Sequence, residues 1–139
     1  MSRWIKQTTA GTTSIATTST TDEYIIAAKT GKVTAAKLNS LSGLAAHDTN
    51  YLTFAITNLG AAASGTAALL AATDANTTKS TGGSLLTANV VRSLTLSSTA
   101  ADLNVTEGDV LRLRATSAAT LAGAVTRPQW EITIKTAQR

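Results

Sequence analysis

The chain has no cysteine, one proline, one histidine and only 4% aromatic residues among its 139 positions. Without cysteine there is neither a disulfide framework nor a thiolate metal site. Stability must then come from an apolar core, and a chain of this length can bury one without staples. Charge is scarce as well: Asp, Glu, Lys and Arg make up 14%, against roughly 25% in ordinary domains. No stretch approaches the ~18 consecutive apolar residues of a membrane-spanning helix. The longest small-apolar run, 59–72, is broken by Ser64 and Gly65. The opening MSRWIKQTTAGTTSIA lacks the apolar run of about 7–15 residues that marks a secretory signal. These absences lead to the expectation of synthesis in the cytoplasm and no membrane partner.

Catalytic motifs are missing too. There is no G-x-S-x-G elbow, no phosphate-binding glycine loop after a strand and no His/Cys metal spacing. His47 is followed by Asp48, but adjacent side chains on an extended segment diverge, and a triad needs the carboxylate to orient the imidazole. His47 therefore reads as a solvated loop residue. Glu107 and Asp109 flank Gly108, where acidic residues serve the backbone of a turn. The sequence predicts no catalytic, cofactor-binding or metal residues and a chain that is not an enzyme. Asn76-Thr-Thr and Asn104-Val-Thr match the glycosylation pattern, which matters only for a secreted protein.

Thr and Ala are the commonest residues, and they sit among short alternating runs. In 94–113, Leu94 and Leu96, then Leu103 and Val105, then Leu111 and Leu113 share faces, hinged at Glu107-Gly108-Asp109. Leu52, Phe54 and Ile56 alternate with Thr53, Ala55 and Thr57, and Trp130, Ile132 and Ile134 with Glu131, Thr133 and Lys135. Period-2 alternation in several short runs separated by turn residues predicts an all-β, single-domain β-sandwich or jelly roll. The stretch 32–42 fits neither the strand nor the helix period, but reads as a strand because Gly31 and Gly43 bound it. Ala67 to Ala72 reads equally as a short helix or as a strand with Leu69 or Leu70 inward. A bulge or strand start is required near Arg92, which would otherwise share the Val90 face. Asp74 to Gly83 reads as a polar loop. Residues 1–21, rich in Thr, Ser and Ala, read as an extended N-terminal arm, and the sandwich domain spans 22–139.

The segments DTNYLTFAITNLG, LLAATDANTTKSTGG and LTLSSTAADLNVTEGDVLRLRATSAATLAG resemble the small jelly-roll decoration, or cement, proteins of tailed bacteriophages. The likeness covers roughly 30–136 and leaves the arm outside. It implies a structural protein on the outer capsid surface of the virion that bridges major capsid protein subunits, commonly as a homotrimer.

Within such a protein, Arg3, Trp4, Ile5 and Lys6 of the arm are the expected capsid contact, since buried Trp and Arg often carry much of an interface's affinity. The same Trp4 also suits a cap on its own sandwich. Arg112 and Arg114, on an outward strand face, are the second expected interface. The net charge is +4, but the basic residues are scattered along the chain, so nucleic acid is not an expected partner. The alternative is a carbohydrate- or receptor-binding module of a head fibre or tail, which glycan binding lost on Tyr51→Ala or Trp130→Ala would favour, although Trp130 fits an inward strand face and too few aromatics remain for an obvious sugar platform.

Overall fold

In the strand Leu52–Gly60, Leu52, Phe54 and Ile56 are buried while Thr53 is exposed and Ala55 and Thr57 are half-buried. The same alternation recurs in Val110–Ser117 of the computed structural model, which describes residues 2–8 and 14–137. In chain order the strands are β1 (Ser2–Thr8), β2 (Thr20–Ile26), β3 (Gly31–Asn39), β4 (Leu52–Gly60), β5 (Ala67–Ala68), β6 (Arg92–Leu94), β7 (Asn104–Val105), β8 (Val110–Ser117) and β9 (Gln129–Ala137). Short 3-10 turns occupy Asp74–Asn76 and Ala100–Leu103.

The antiparallel pairs are nested. β1 pairs with β9, β2 with β8, β3 with β6 and β7, and β4 with β5. This is one long hairpin with β4–β5 at its tip. Folding it over itself adds the β3–β9 and β4–β8 pairs. The result is two sheets, β1-β9-β3-β6 (with β7 also on β3) and β2-β8-β4-β5. That is the jelly-roll topology, an all-β sandwich as the alternation predicts.

The inner faces meet in one core. Trp130 and Phe54, from opposite sheets, lie edge to face at 5.9 Å and 81°, with Leu38, Leu113, Ile132 and Ile134 fully buried around them. The hinge at 107–109 is a turn: Gly108 has φ +94, a conformation that glycine adopts without steric cost. The Asp109 carboxylate accepts from Thr106 N at 2.8 Å and from Asn58 Nδ2 at 3.0 Å. Of the Ala67–Ala72 stretch, Ala67–Ala68 are strand and Leu70 makes an isolated bridge to Leu96, with Leu69 and Leu70 both buried and no helix formed. β6 begins at Arg92, as the phase argument requires.

Of three expectations, two are corrected and one, the strand over 32–42, is borne out. The described parts of the expected arm 1–21, residues 2–8 and 14–21, belong to the sandwich, and residues 1 and 9–13 lie outside the described residues. Ser2–Thr8 is an edge strand hydrogen-bonded along its length to β9. Ile15 is 1% exposed and bridges Val125 through paired backbone bonds of 2.9 and 3.0 Å. β2 starts at Thr20, so no domain boundary falls at Asp22. Second, the strand expected over 32–42 is present as β3, and its misfit period has a cause: the β3–β9 register shifts between Val33 and Ala35, and one extra residue moves the inward set from odd to even positions. Third, the polar segment 74–83 is not simply solvated. Asn76, Thr77 and Thr78 are buried, and the Asn76 amide spans Ala71 and Thr95. Arg92 fastens the same segment, donating to the carbonyls of Ser84, Ala75 and Thr77 at 2.8, 3.0 and 2.6 Å.

Candidate interaction surfaces

The inner faces are consumed by the core, so what the chain offers to others is two outer sheet faces and the loop ends. The first outer face belongs to β1, β9 and β3. Because side chains alternate, register partners form rows across it. One row is Trp4, Lys135 and Lys32; the next is Lys6, Thr133 and Ala35; the third is Thr8, Glu131 and Lys37. Four lysines and one carboxylate therefore share this face. Trp4 is 57% exposed, and the Lys135 ammonium lies 5.2 Å from its ring centre, within cation–π range. Lys32 and Lys135 stand directly opposite each other. Among the described residues the ion pairs are Lys79–Asp74 and Arg114–Asp22, so none of the four lysines is neutralised within 4 Å. A groove of about 310 Å³ runs beside Lys6, Lys37 and Glu131 to the exposed Val91.

The predicted quartet Arg3, Trp4, Ile5 and Lys6 thus does not act as one patch. Strand alternation puts Trp4 and Lys6 on the outer face and Arg3 and Ile5 on the opposite one, where Ile5 meets Ile134 in register. The lysines that join Trp4 and Lys6 are distant in sequence, and sequence reading missed them because only the β1-β9-β3 order brings them together.

The second outer face carries Arg112 and Arg114 on the central strand β8. Arg114 is not available to a partner's carboxylate. It grips Asp22 of β2 with two bonds, Nε to Oδ1 at 2.7 Å and Nη2 to Oδ2 at 2.9 Å. The guanidinium holds the Asp22 carboxyl below its ordinary value, chiefly through this hydrogen bond. Arg112 is half-buried and its Nε is shielded from solvent with no hydrogen-bond partner. Beside it, Tyr24 and Ile26 on edge strand β2 are 56% and 64% exposed.

A depressed Asp pKa stabilises the fold above the unfolded value near 3.8, and that stability is lost as pH falls through the lower folded value. Asp22→Asn is therefore expected to cost roughly 0.5–1 kcal/mol at pH 7 and progressively less as pH drops below about 4. Urea titrations of both proteins at pH 7 and pH 3 read this directly. A cost that does not shrink with acid would show that the charge is not what the pair contributes.

At one end of the sandwich the connections 14–19, 40–51, 69–91 and 118–128 converge. They are tied by bonds such as Leu41 N to Thr126 O, Leu44 to Leu86 and Leu121 N to Thr17 O. Leu41, Leu85, Val90 and Val91 are more than half exposed on these connections.

The remaining chemical candidates are placed as follows. His47 is exposed, and its Nδ1 accepts from the backbone N–H groups of Thr49 and Asn50 at 3.0 and 2.9 Å. That assigns the ring proton to Nε2, whereas the imidazole of a triad donates from Nδ1 to its carboxylate. Asp48 instead accepts from Thr81 at 2.8 Å. Trp130 is 1% exposed and cannot form a sugar platform; the Tyr51 ring lies under the Lys79 ammonium at 4.7 Å. Asn76 is fully buried and closed to glycosylation in the folded chain; Asn104 is exposed on β7.

No family model matches the chain, and no curated protein does. Among solved structures, the crystal structure of a serine protease of Aeromonas sobria is similar, with a TM-score of 0.51 and 15% identity. The match covers 99% of this chain and 27% of that one. The likeness is one of fold. It corrects the expectation that the chain is not an enzyme: this architecture occurs inside a protein described as a serine protease, so fold class does not set the chain apart from enzymes, and that expectation is withdrawn. Sequence, topology and comparison together establish an all-β, single-domain jelly-roll sandwich.

Proposed function

We propose that this chain is a structural virion protein that decorates and cements a bacteriophage capsid, bridging major capsid protein subunits on the outer surface as a homotrimer. The observation that carries the reading is the nested jelly-roll topology, an architecture that recurs in viral capsid domains, in a chain whose segments resemble phage decoration proteins. The low charge content and the exposed Trp4 and Tyr24 suit a life spent against other protein surfaces. After synthesis in the host cytoplasm, three copies joined on one trimer would act at high effective concentration, so modest patches give lasting attachment.

Light scattering is expected to give three times the 14.2 kDa chain mass, and the protein is expected to pellet with expanded empty shells of its own virus. A monomer that stays in the supernatant would contradict the proposal.

A further inference from the structure

The β1-β9-β3 outer face carries an unresolved repulsion. Like charges directly opposite on neighbouring strands are destabilising, yet Lys32 and Lys135 occupy such a pair. Lys6 and Lys37 extend the same sign to the groove, against the single Glu131. A fold selected for stability alone would place an acid at one of these positions. Breaking a local rule in this way marks a surface completed by something outside the chain.

The face is matched to an acidic protein surface. It mixes an exposed Trp, an exposed aliphatic rim at Val91 and lysines around them, as in protein interfaces with an aromatic anchor. A second copy docking the same face would double the repulsion. A polyanionic strand would meet the Glu131 carboxylate within the basic patch, and the Trp4 ring already holds the Lys135 ammonium, which competes with base stacking.

We propose that this face is the capsid-attachment face, that its partner is an acidic patch of a shell protein, and that Lys32–Lys135 is its charged centre and Trp4 its anchor. The proposal rests on the decoration reading above and names the surface that performs it.

Lys32→Glu tests it, because the two effects of this substitution have opposite signs. Facing Lys135, the new carboxylate relieves the repulsion, so the melting temperature is expected to rise by about 1–4 °C. Attachment to purified empty shells is expected to weaken about tenfold or more, with the trimer mass unchanged, while Lys32→Arg binds as the parent does. S64E/S98E, which makes the same change in net charge at two exposed loop positions outside β1, β9 and β3, is expected to bind normally.

If Lys32→Glu binds shells within twofold of the parent, or if S64E/S98E loses as much, the attachment face lies elsewhere while the decoration reading stands. A parent protein that binds no shells overturns the decoration reading and this proposal with it. Binding of a labelled single-stranded DNA that Lys32→Glu abolishes and that shells fail to displace would make the face a nucleic-acid surface instead.

Discussion

Asn76→Ala is expected to destabilise the protein by about 3–4 kcal/mol, a large fraction of the 5–15 kcal/mol that holds a typical domain together. The Asn76 side chain is fully buried. Its Nδ2 donates to Ala71 O and Thr95 O, both at 2.8 Å, and its Oδ1 accepts from Thr95 N at 2.7 Å. Thr95 O keeps a second partner in Ala71 N, so truncation leaves two part-buried groups, Ala71 O and Thr95 N, without this partner. Each costs about 1–3 kcal/mol when left unmade. The m-value should be unchanged, with the whole loss in the urea midpoint.

Asn76→Asp separates hydrogen bonding from packing. The isosteric carboxylate leaves no cavity, but it cannot donate to two carbonyls. Its folded pKa is raised, so the variant loses stability as pH rises past the unfolded Asp value and recovers it as pH falls. It is expected to be more stable at pH 4 than at pH 7. Equal stability at both would show that the amide donors contribute little.

Trp130→Ala is expected to cost about 3–5 kcal/mol. Trp130 is 1% exposed, packs edge to face on Phe54 and stands opposite Leu38 in register. Phe54 also carries the Arg92 guanidinium carbon 5.3 Å from its ring centre. Arg92 in turn holds the carbonyls of the 75–84 segment, so the cavity left by the indole loosens both sheets and that segment together. Trp130→Phe keeps an aromatic partner for Phe54 and is expected to cost about half as much. Denaturant titration of the two variants gives the comparison. A loss below about 1 kcal/mol for Trp130→Ala would mean that the core closes around the gap, which a well-packed interior does only in part. Any sugar binding lost in Trp130→Ala would report unfolding, because the indole does not reach the surface.

The strands with uniform inward apolar residues, β4, β8 and β9, were legible from alternation because burial on one face is a local property of the sequence. Others were not. β1 presents Arg3, Ile5 and Gln7 on its inner side, only one of them apolar, so its strand character comes from hydrogen bonds to β9 at the far end of the chain. β3 was legible only from the glycines that bound it, Gly31 and Gly43, because the bulge at Val33/Ala35 breaks its period. The segment 74–78 looked like a solvated loop because Asp, Asn and Thr favour loops, and its burial depends on backbone partners at Ala71 and Thr95.

The candidate site was half legible. Trp4 and Lys6 stood out on an unusual N-terminal stretch, and Arg112 and Arg114 on an alternating strand. Asp22 faces Arg114 only through the β2–β8 register, so its capture of that arginine could not be read from positions 92 residues apart. The basic face is the larger omission. Lys6, Lys32, Lys37 and Lys135 look dispersed in the sequence, and the jelly-roll crossover that places β9 between β1 and β3 gathers them.

Attachment to the outer capsid surface is tested most directly by imaging purified virions decorated with an antibody against this chain. Label on the outside of the shell at threefold-related positions is the predicted result. Label confined to the tail or fibres, or virions that lack the chain, would contradict it.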